Sequence, residues 1–268
     1  MVYFIATPIG NLDDMRFRAV ETLKSVDVIA CEDTRHSLKL LDRYGVKKQL
    51  ISHHKFNEVK SAERIVELVK SGKTVAVISD AGMPVISDPG NILVKVLIEN
   101  GLEYTVIPGA SACLSALLLS GLDSSRFTFI GFLPEKTKEK AELLKEYANS
   151  KETLIFYSAP HDINQNIIDL YKAFGARNAC AVKEITKMHE TVYRFNLEGG
   201  KIEEPKGEFV LLVEGAKPKK QGYSEEEIIE TIKNYILDGL SKKDAIKKTC
   251  EVLNVSKNEA YKYSLKIK

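Results

Sequence analysis

Short apolar runs alternate with amphipathic stretches through the first half of the chain. "VYFIAT" (Val2 to Thr7), "VDVIAC" (Val26 to Cys31), "QLISH" (Gln49 to His53), "TVAVIS" (Thr74 to Ser79) and "YTVIPG" (Tyr104 to Gly109) read as strands. Each is short, rich in β-branched residues and bounded by polar or turn residues. The stretches between them carry helical periodicity. In "SAERIVELVKSGK", Ile65, Val66, Leu68 and Val69 form one apolar stripe and Gly72 supplies a C-terminal cap. Strand–helix alternation of this kind predicts an α/β layer around a mainly parallel sheet.

The second half is patterned differently. "RFTFIGFLP", "TLIFYSAP", "ACAVKEIT", "ETVYRFNL" and "GEFVLLVEG" read as strands, but the last three follow one another without room for a helix. That arrangement predicts antiparallel pairing and a second α/β domain. After "GAKPKKQG" the pattern becomes wholly helical, with Ser224, Ser241 and Ser256 placed as N-caps of three helices. The expected division is therefore 1–122, an α/β domain with a mainly parallel sheet; 123–216, a second α/β domain; and 217–268, a small three-helix segment resembling a helix-turn-helix with "LNVS" as its turn.

Composition narrows the function without fixing it. The net charge is +2, but residues 217–268 hold 12 Lys against 8 acidic residues, about +4, leaving the body weakly acidic. A basic tail of this kind is compatible with an RNA partner. Four cysteines (31, 113, 180, 250) show no C-x-x-C spacing, which fits reduced thiols in the cytosol and gives no zinc pattern. The pair His53-His54 would face opposite sides of a strand, so no metal site is expected. No apolar run is long enough to cross a bilayer, and the opening "MVYFIATPIGN" lacks the basic region of a secretory signal.

Loops at the carboxyl ends of parallel strands are where such a sheet collects a ligand. Four stand out: "ATPIGNLDD", "CEDTRHS", "SDAGMPVISDPG" and "PGASACLSA". The third holds Gly82 and Gly90, which allow positive φ or close ligand approach, and Pro84 and Pro89, which stiffen it. Asp80 sits where a strand ends and is read as a ligand contact. Asp88, in "SDPGN", is read as a cap and turn former for the next helix. Ser111 and its neighbouring amides can hydrogen-bond a ligand or simply cap a helix. The chain has neither G-x-x-x-x-G-K-[ST] nor G-x-G-x-x-G nor G-x-S-x-G, so phosphate-loop, nicotinamide and serine-hydrolase chemistries lose support.

Taken in order, "ATPIGNLDD", "CEDTR", "SDAGMPVISDPG", "PGASA", "FIGFLP", "KEITKMHE" and "GEFVLLVEG" resemble the ribosomal RNA small subunit methyltransferase I family. That family belongs to the tetrapyrrole-methylase superfamily of S-adenosyl-L-methionine (SAM) enzymes. The resemblance implies two α/β domains with SAM in the cleft between them, and 2′-O-methylation of a cytidine ribose in the decoding centre of 16S rRNA. It also implies a cytoplasmic homodimer with the small ribosomal subunit as partner. By position it implies SAM contacts from Asp80, Ala81 and Met83, from Ser111 and Ala112, and from Pro8 and Ile9. On the adenosine side it implies Tyr157, Lys183, Phe209 and Val210. The chain departs from the family pattern at Met83, usually Thr; at "YSAPH", usually Tyr-Glu-Ser-Pro-His; and at Lys183-Glu184, usually Arg-Glu.

SAM brings an activated methyl group, so the residues must align the acceptor oxygen and receive its proton. Two charged clusters are candidates. Glu184 or Asp33 would orient or deprotonate the hydroxyl, with Lys187 and Arg35 holding RNA phosphates; alternatively these residues form a salt-bridge network bracing the two domains. Lys242, Lys243, Lys247 and Lys248 would bind rRNA backbone, or belong to a generic helical appendage. The competing functions are a tetrapyrrole C-methyltransferase, whose first loop is of the kind G-x-G-P-G-D rather than "ATPIGNLDD", diphthine synthase, and a catalytically inactive RNA-binding relative.

Overall fold

The five runs of the first half that read as strands join in one sheet. A computed structural model describes residues 1–217, 223–253 and 255–267. Strands β1 (Val2–Ile5), β2 (Val28–Cys31), β3 (Gln49–Ser52), β4 (Val75–Ile78) and β5 (Tyr104–Ile107) assemble in the order β3-β2-β4-β1-β5. All neighbours are parallel. Helices α1 (Phe17–Ser25), α2 (Thr34–Arg43), α3 (Glu58–Lys70) and α4 (Asn91–Glu99) form the crossovers. Val2, Phe4, Val75 and Val77 pack with Ile65, Val66, Leu93 and Leu97 of α3 and α4. Ile5, Ile29, Ala76 and Ile78 pack with Ala19, Leu23 and Leu41 of α1 and α2. Burial on both faces is why the inner strands β1, β2 and β4 are continuously apolar, whereas the edge strands β3 and β5 keep polar residues such as Gln49, Ser52 and Thr105 exposed. Gly72, at φ +88°, donates its amide to Val69 while Lys73 donates to Leu68, the paired bonds of a Schellman C-terminus on α3.

The second sheet, β6 (Phe127–Phe132), β7 (Thr153–Ser158), β8 (Asn178–Lys183), β9 (Thr191–Asn196) and β10 (Phe209–Val213), is mixed, in the order β6-β7-β10-β8-β9. β6 and β7 run parallel, while β10 is antiparallel to both β7 and β8, and β9 to β8. Helices α6 (Thr137–Tyr147) and α7 (Ile163–Phe174) cover one face through Leu144, Ile163, Ile167 and Leu170. The other face is covered by α5 (Ala112–Ser120), whose Cys113, Ala116 and Leu117 pack on Ile155, Val182, Val210 and Leu212. Thus a helix that follows the last strand of the first sheet in sequence belongs by packing to the second. Residues 1–216 form one compact unit.

Residues 217–268 form another unit. Its helices α8 (Glu225–Leu237), α9 (Lys242–Leu253) and α10 (Lys257–Ser264) bury Ile228, Ile232, Ala245, Ile246 and Ala260. Ser224, Ser241 and Ser256 each accept a backbone N–H three residues on, from Glu227, Asp244 and Glu259, so all three caps are where the sequence places them. Most of the "GAKPKKQG" link and Asn254 of the "LNVS" turn lie outside the described residues. Among the described residues no helix is long and apolar enough to cross a membrane.

Candidate active site

The loops after β1 and β4 are stitched together at the carboxyl end of the first sheet. Thr7 and Gly82 exchange backbone hydrogen bonds of 2.9 and 3.1 Å, and the buried Thr7 hydroxyl donates to the Ser79 carbonyl at 3.2 Å. Gly109 lets the loop after β5 lie directly on the loop that leaves β1, since a Cβ there would fall 2.8 Å from that of Ala6. Three loops of the first sheet are thereby held against one another, and α5 carries the third of them under the second sheet.

A cavity of about 470 Å³ opens where these loops meet β7, β8 and β10. From the first sheet's side Ile9, Asp80, Ala81, Met83, Ser111 and Ala112 line it; from the second, Tyr157, Phe209 and Val210. All nine are positions that the family resemblance implies as cofactor contacts. Two others so implied do not line it. Pro8 is buried, and Lys183 is taken up in the sheet, paired with Phe209 and Thr191.

Residues that the sequence reading passed over, and Asp88, which it read as a cap, also line the cavity. Ile86, Ser87 and Asp88 come from the loop after β4, Phe132 from the end of β6, and Ile185 and Glu208 from the loops flanking β8 and β10. Ile86 and Phe132 are exposed, whereas Val182, Ile185, Phe209 and Val210 are buried, so the former mark the rim and the latter the floor. Tyr157 is held edge-on between Phe129 and Phe132, at centroid separations of 4.9 and 5.5 Å. Burial pushes its phenol well above the ordinary range, with Cys113 adding to the effect.

Asp88 is not a helix cap. The first amides of α4 are satisfied from α3 instead: Glu58 Oε1 accepts from Gly90 at 2.8 Å and from Ile92 at 3.0 Å. Asp88 turns to the cavity, where burial, and then the charges of Glu32 and Asp80, push its carboxyl up to about 6 against a partly offsetting hydrogen bond from Ser79. The same burial and the charge of Asp80 raise Glu32. Asp80 accepts from the Asp33 amide at 3.3 Å.

The two charged clusters hold themselves. Asp33 is the N-cap of α2, accepting from Arg35 at 2.8 Å and His36 at 3.3 Å, and these amides lower its carboxyl. The Arg35 side chain extends into solvent. Glu184 Oε1 accepts from Lys187 Nζ at 3.0 Å and from the Glu208 amide at 2.8 Å, while Lys187 also reaches Glu208 Oε2 at 2.8 Å. Burial would raise Glu184, but these hydrogen bonds and the Lys187 charge outweigh it and hold the carboxyl low. The Thr186 hydroxyl accepts from the Asn11 amide at 3.0 Å, which ties this loop to the loop after β1. None of Asp33, Arg35, Glu184 and Lys187 lines the cavity. In the second unit Lys242, Lys243, Lys247 and Lys248 all lie exposed on α9, with Lys248 Nζ 5.0 Å from the Tyr235 ring centre.

Among the described residues, four other than glycine have positive φ: Val85 (76°), Ser87 (66°), Glu184 (51°) and Thr186 (66°). All lie in the two loops beside this cavity, the placement expected where surrounding contacts enforce a functional geometry.

Residues 1–199 match the model of the Tetrapyrrole (Corrin/Porphyrin) Methylases. The chain is 40% identical over 271 residues to the ribosomal RNA small subunit methyltransferase I of Bacillus subtilis, covering 97% of this chain and 92% of that protein. The protein of that name from Haemophilus influenzae is 41% identical over 274 residues, covering 99% and 96%. Solved structures with the same fold include the methyltransferase CobJ (TM-score 0.62, 20% identity, 80% of this chain and 94% of that one). Another is a diphthine synthase (TM-score 0.65, 16% identity, 80% and 89%).

Proposed function

The chain belongs to the ribosomal RNA small subunit methyltransferase I family, within the tetrapyrrole (corrin/porphyrin) methylases, and on that premise we propose that it uses SAM to methylate the 2′-hydroxyl of a cytidine ribose in the decoding centre of 16S rRNA. The observation that supports this most strongly is sequence identity near 40% along almost the whole chain to proteins bearing that name. The fold by itself would admit a corrin methylase or a diphthine synthase equally. The first loop, "ATPIGNLDD", and the basic tail argue against both.

The cavity suits the cofactor. Its volume falls in the range of small-molecule sites, and its lining combines an apolar floor with a few placed polar groups. Ile9, Val182, Ile185, Phe209 and Val210 offer the apolar surface that a purine ring needs. Asp80, Ser111 and the backbone around Ala81 and Met83 offer the hydrogen-bonding partners of an amino acid moiety. When bound, SAM supplies a methyl on a positively charged sulfur that leaves with the carbon–sulfur electron pair, so transfer to an oxygen releases one proton. For Asp33, Glu184 and Lys187 this proposal adopts the bracing role, because their polar atoms are engaged with each other and with backbone amides. Arg35 and the lysines of α9 are assigned to RNA phosphates, and the working form is taken to be a cytoplasmic homodimer.

Calorimetry with SAM, followed by labelled methyl incorporation into isolated small ribosomal subunits or a tetrapyrrole precursor, tests the reading. Binding with incorporation into the subunits alone is expected. Incorporation into the tetrapyrrole, or none with SAM bound, would establish a competing function, and mass spectrometry of the RNA would locate the ribose.

A further inference from the structure

We propose that the Asp88 carboxylate accepts the proton of the acceptor hydroxyl during methyl transfer. The inference rests on the reading of the cavity as a methyl-transfer site and adds to it the missing base.

Three structural observations converge on this residue. First, Asp88 lines the cavity and follows directly on Ile86 and Ser87, residues of its lining that are exposed to solvent. Second, it is freed from the cap role that its sequence context suggests, because Glu58 from α3 occupies the amides at the start of α4. Third, its position is enforced. Val85 and Ser87 are held at positive φ, and Gly131 of β6 comes so close that a Cβ there would lie 3.2 Å from Ser87 Oγ. A β-branched residue at such a φ persists only when its surroundings compel it.

The charged neighbourhood fits the role. Glu32 from the end of β2 and Asp80 from the end of β4 face Asp88 with negative charge, and the Tyr157 phenol of β7 feels it in turn. Partial burial, and then the two carboxylates, bring Asp88 up to about 6, where at neutral pH a base is both mostly ionised and basic enough to take a proton. A sugar hydroxyl is a weak acid and needs such a partner as its oxygen gains a third bond. The proton leaves the hydroxyl oxygen, whose electron pair forms the bond to the transferred methyl, passes to a carboxylate oxygen of Asp88, and goes on to water. Asp33 and Glu184, the other carboxylates considered, sit outside the cavity with lowered proton affinity.

The test uses the full chain, isolated small subunits and SAM. Asp88→Asn is expected to slow single-turnover transfer about 100-fold or more, within the usual range for loss of a general base, while the SAM dissociation constant stays within about threefold. The wild-type rate is expected to rise with pH to a plateau with an inflection near 6, and the Asn variant to lose that inflection. Thermal melting gives a readout independent of transfer. The folded state holds the Asp88 proton more tightly than the unfolded chain, so this group's contribution to stability falls as pH rises from about 4 to about 6. Asp88→Asn is therefore expected to melt higher than wild type at pH 8 and to lose that advantage at pH 4. Asp88→Glu, which keeps a carboxylate, is expected to retain the inflection at a shifted pH, and supplies the kinetic test if the Asn variant does not fold. A rate within threefold of wild type in Asp88→Asn, or a loss of rate matched by loss of SAM affinity, would overturn the assignment alone. A wild-type protein that bound no SAM would overturn the functional reading, and this inference with it.

Discussion

Glu184, just outside the cavity, and Asp88, which lines it, show how one functional group, the carboxylate, takes opposite parts. Glu184 is wrapped by donors that outweigh its burial, so its ionised form is stabilised; Asp88 is desolvated by burial and faces other carboxylates, so its ionised form is penalised. The pH consequences have opposite sign. The stabilising contribution of Glu184 is present above the ordinary carboxylate range and is lost as pH falls through its lowered value. Glu184→Gln is thus expected to melt lower than wild type at pH 7, with the gap closing below pH 4, as thermal denaturation at several pH values would show. Gly10 makes a second residue-scale case. A Cβ there would lie 2.5 Å from Lys187 Cγ and 3.0 Å from the Ile185 carbonyl. Gly10→Ala is expected to lower stability by about 1–3 kcal/mol, the usual penalty of overpacking. The Lys187→Ala background is expected to recover part of that, a coupling that a double-mutant cycle would measure.

Helix α3 works at the scale of an element. One face fills the core beneath the sheet, and its first residue, Glu58, reaches the open amides of α4. Those amides begin directly after the loop that carries Asp88, so α3 anchors the loop's far end. Glu58→Ala removes a charged acceptor from two buried-side donors and is expected to cost about 1.5–3 kcal/mol in denaturant unfolding. Glu58→Gln, which keeps the acceptor oxygen, is expected to recover about half. Helix α5 makes the complementary point. It is apolar all round, and its packing on β7, β8 and β10 places Ser111 and Ala112 at the cavity.

At the scale of the whole molecule, the chain divides at the end of residue 216 into two units with separate cores. The first contains every residue that lines the cavity, and the second contains the exposed lysines of α9. Removal of residues 217–268 is expected to leave the melting transition of the first unit and its SAM affinity within about twofold of the full chain. RNA affinity is expected to weaken and to lose part of its salt dependence, since neutralised phosphates set that slope. Unchanged salt dependence would assign RNA contact to the first unit.

The sequence by itself determined the ten strands, the two kinds of sheet, the tail's helices and caps, and the loops that meet at the cavity. Strand patterning and cap chemistry are local, written in residues two to four positions apart. The strand order, the transfer of α5 to the second sheet and the closure of the cavity by Ile86, Phe132 and Glu208 were decided by tertiary packing. So was the part played by Asp88. "SDPGN" reads as a cap wherever it stands alone, and only Glu58, 30 positions earlier in the chain, takes over the amides and leaves the carboxylate to the cavity. Proton affinity divides the same way: Asp33 is lowered by the amides of Arg35 and His36, two and three positions on, whereas Asp88 and Glu184 owe theirs to burial and to neighbours brought together by folding, and a linear text does not record distance in space.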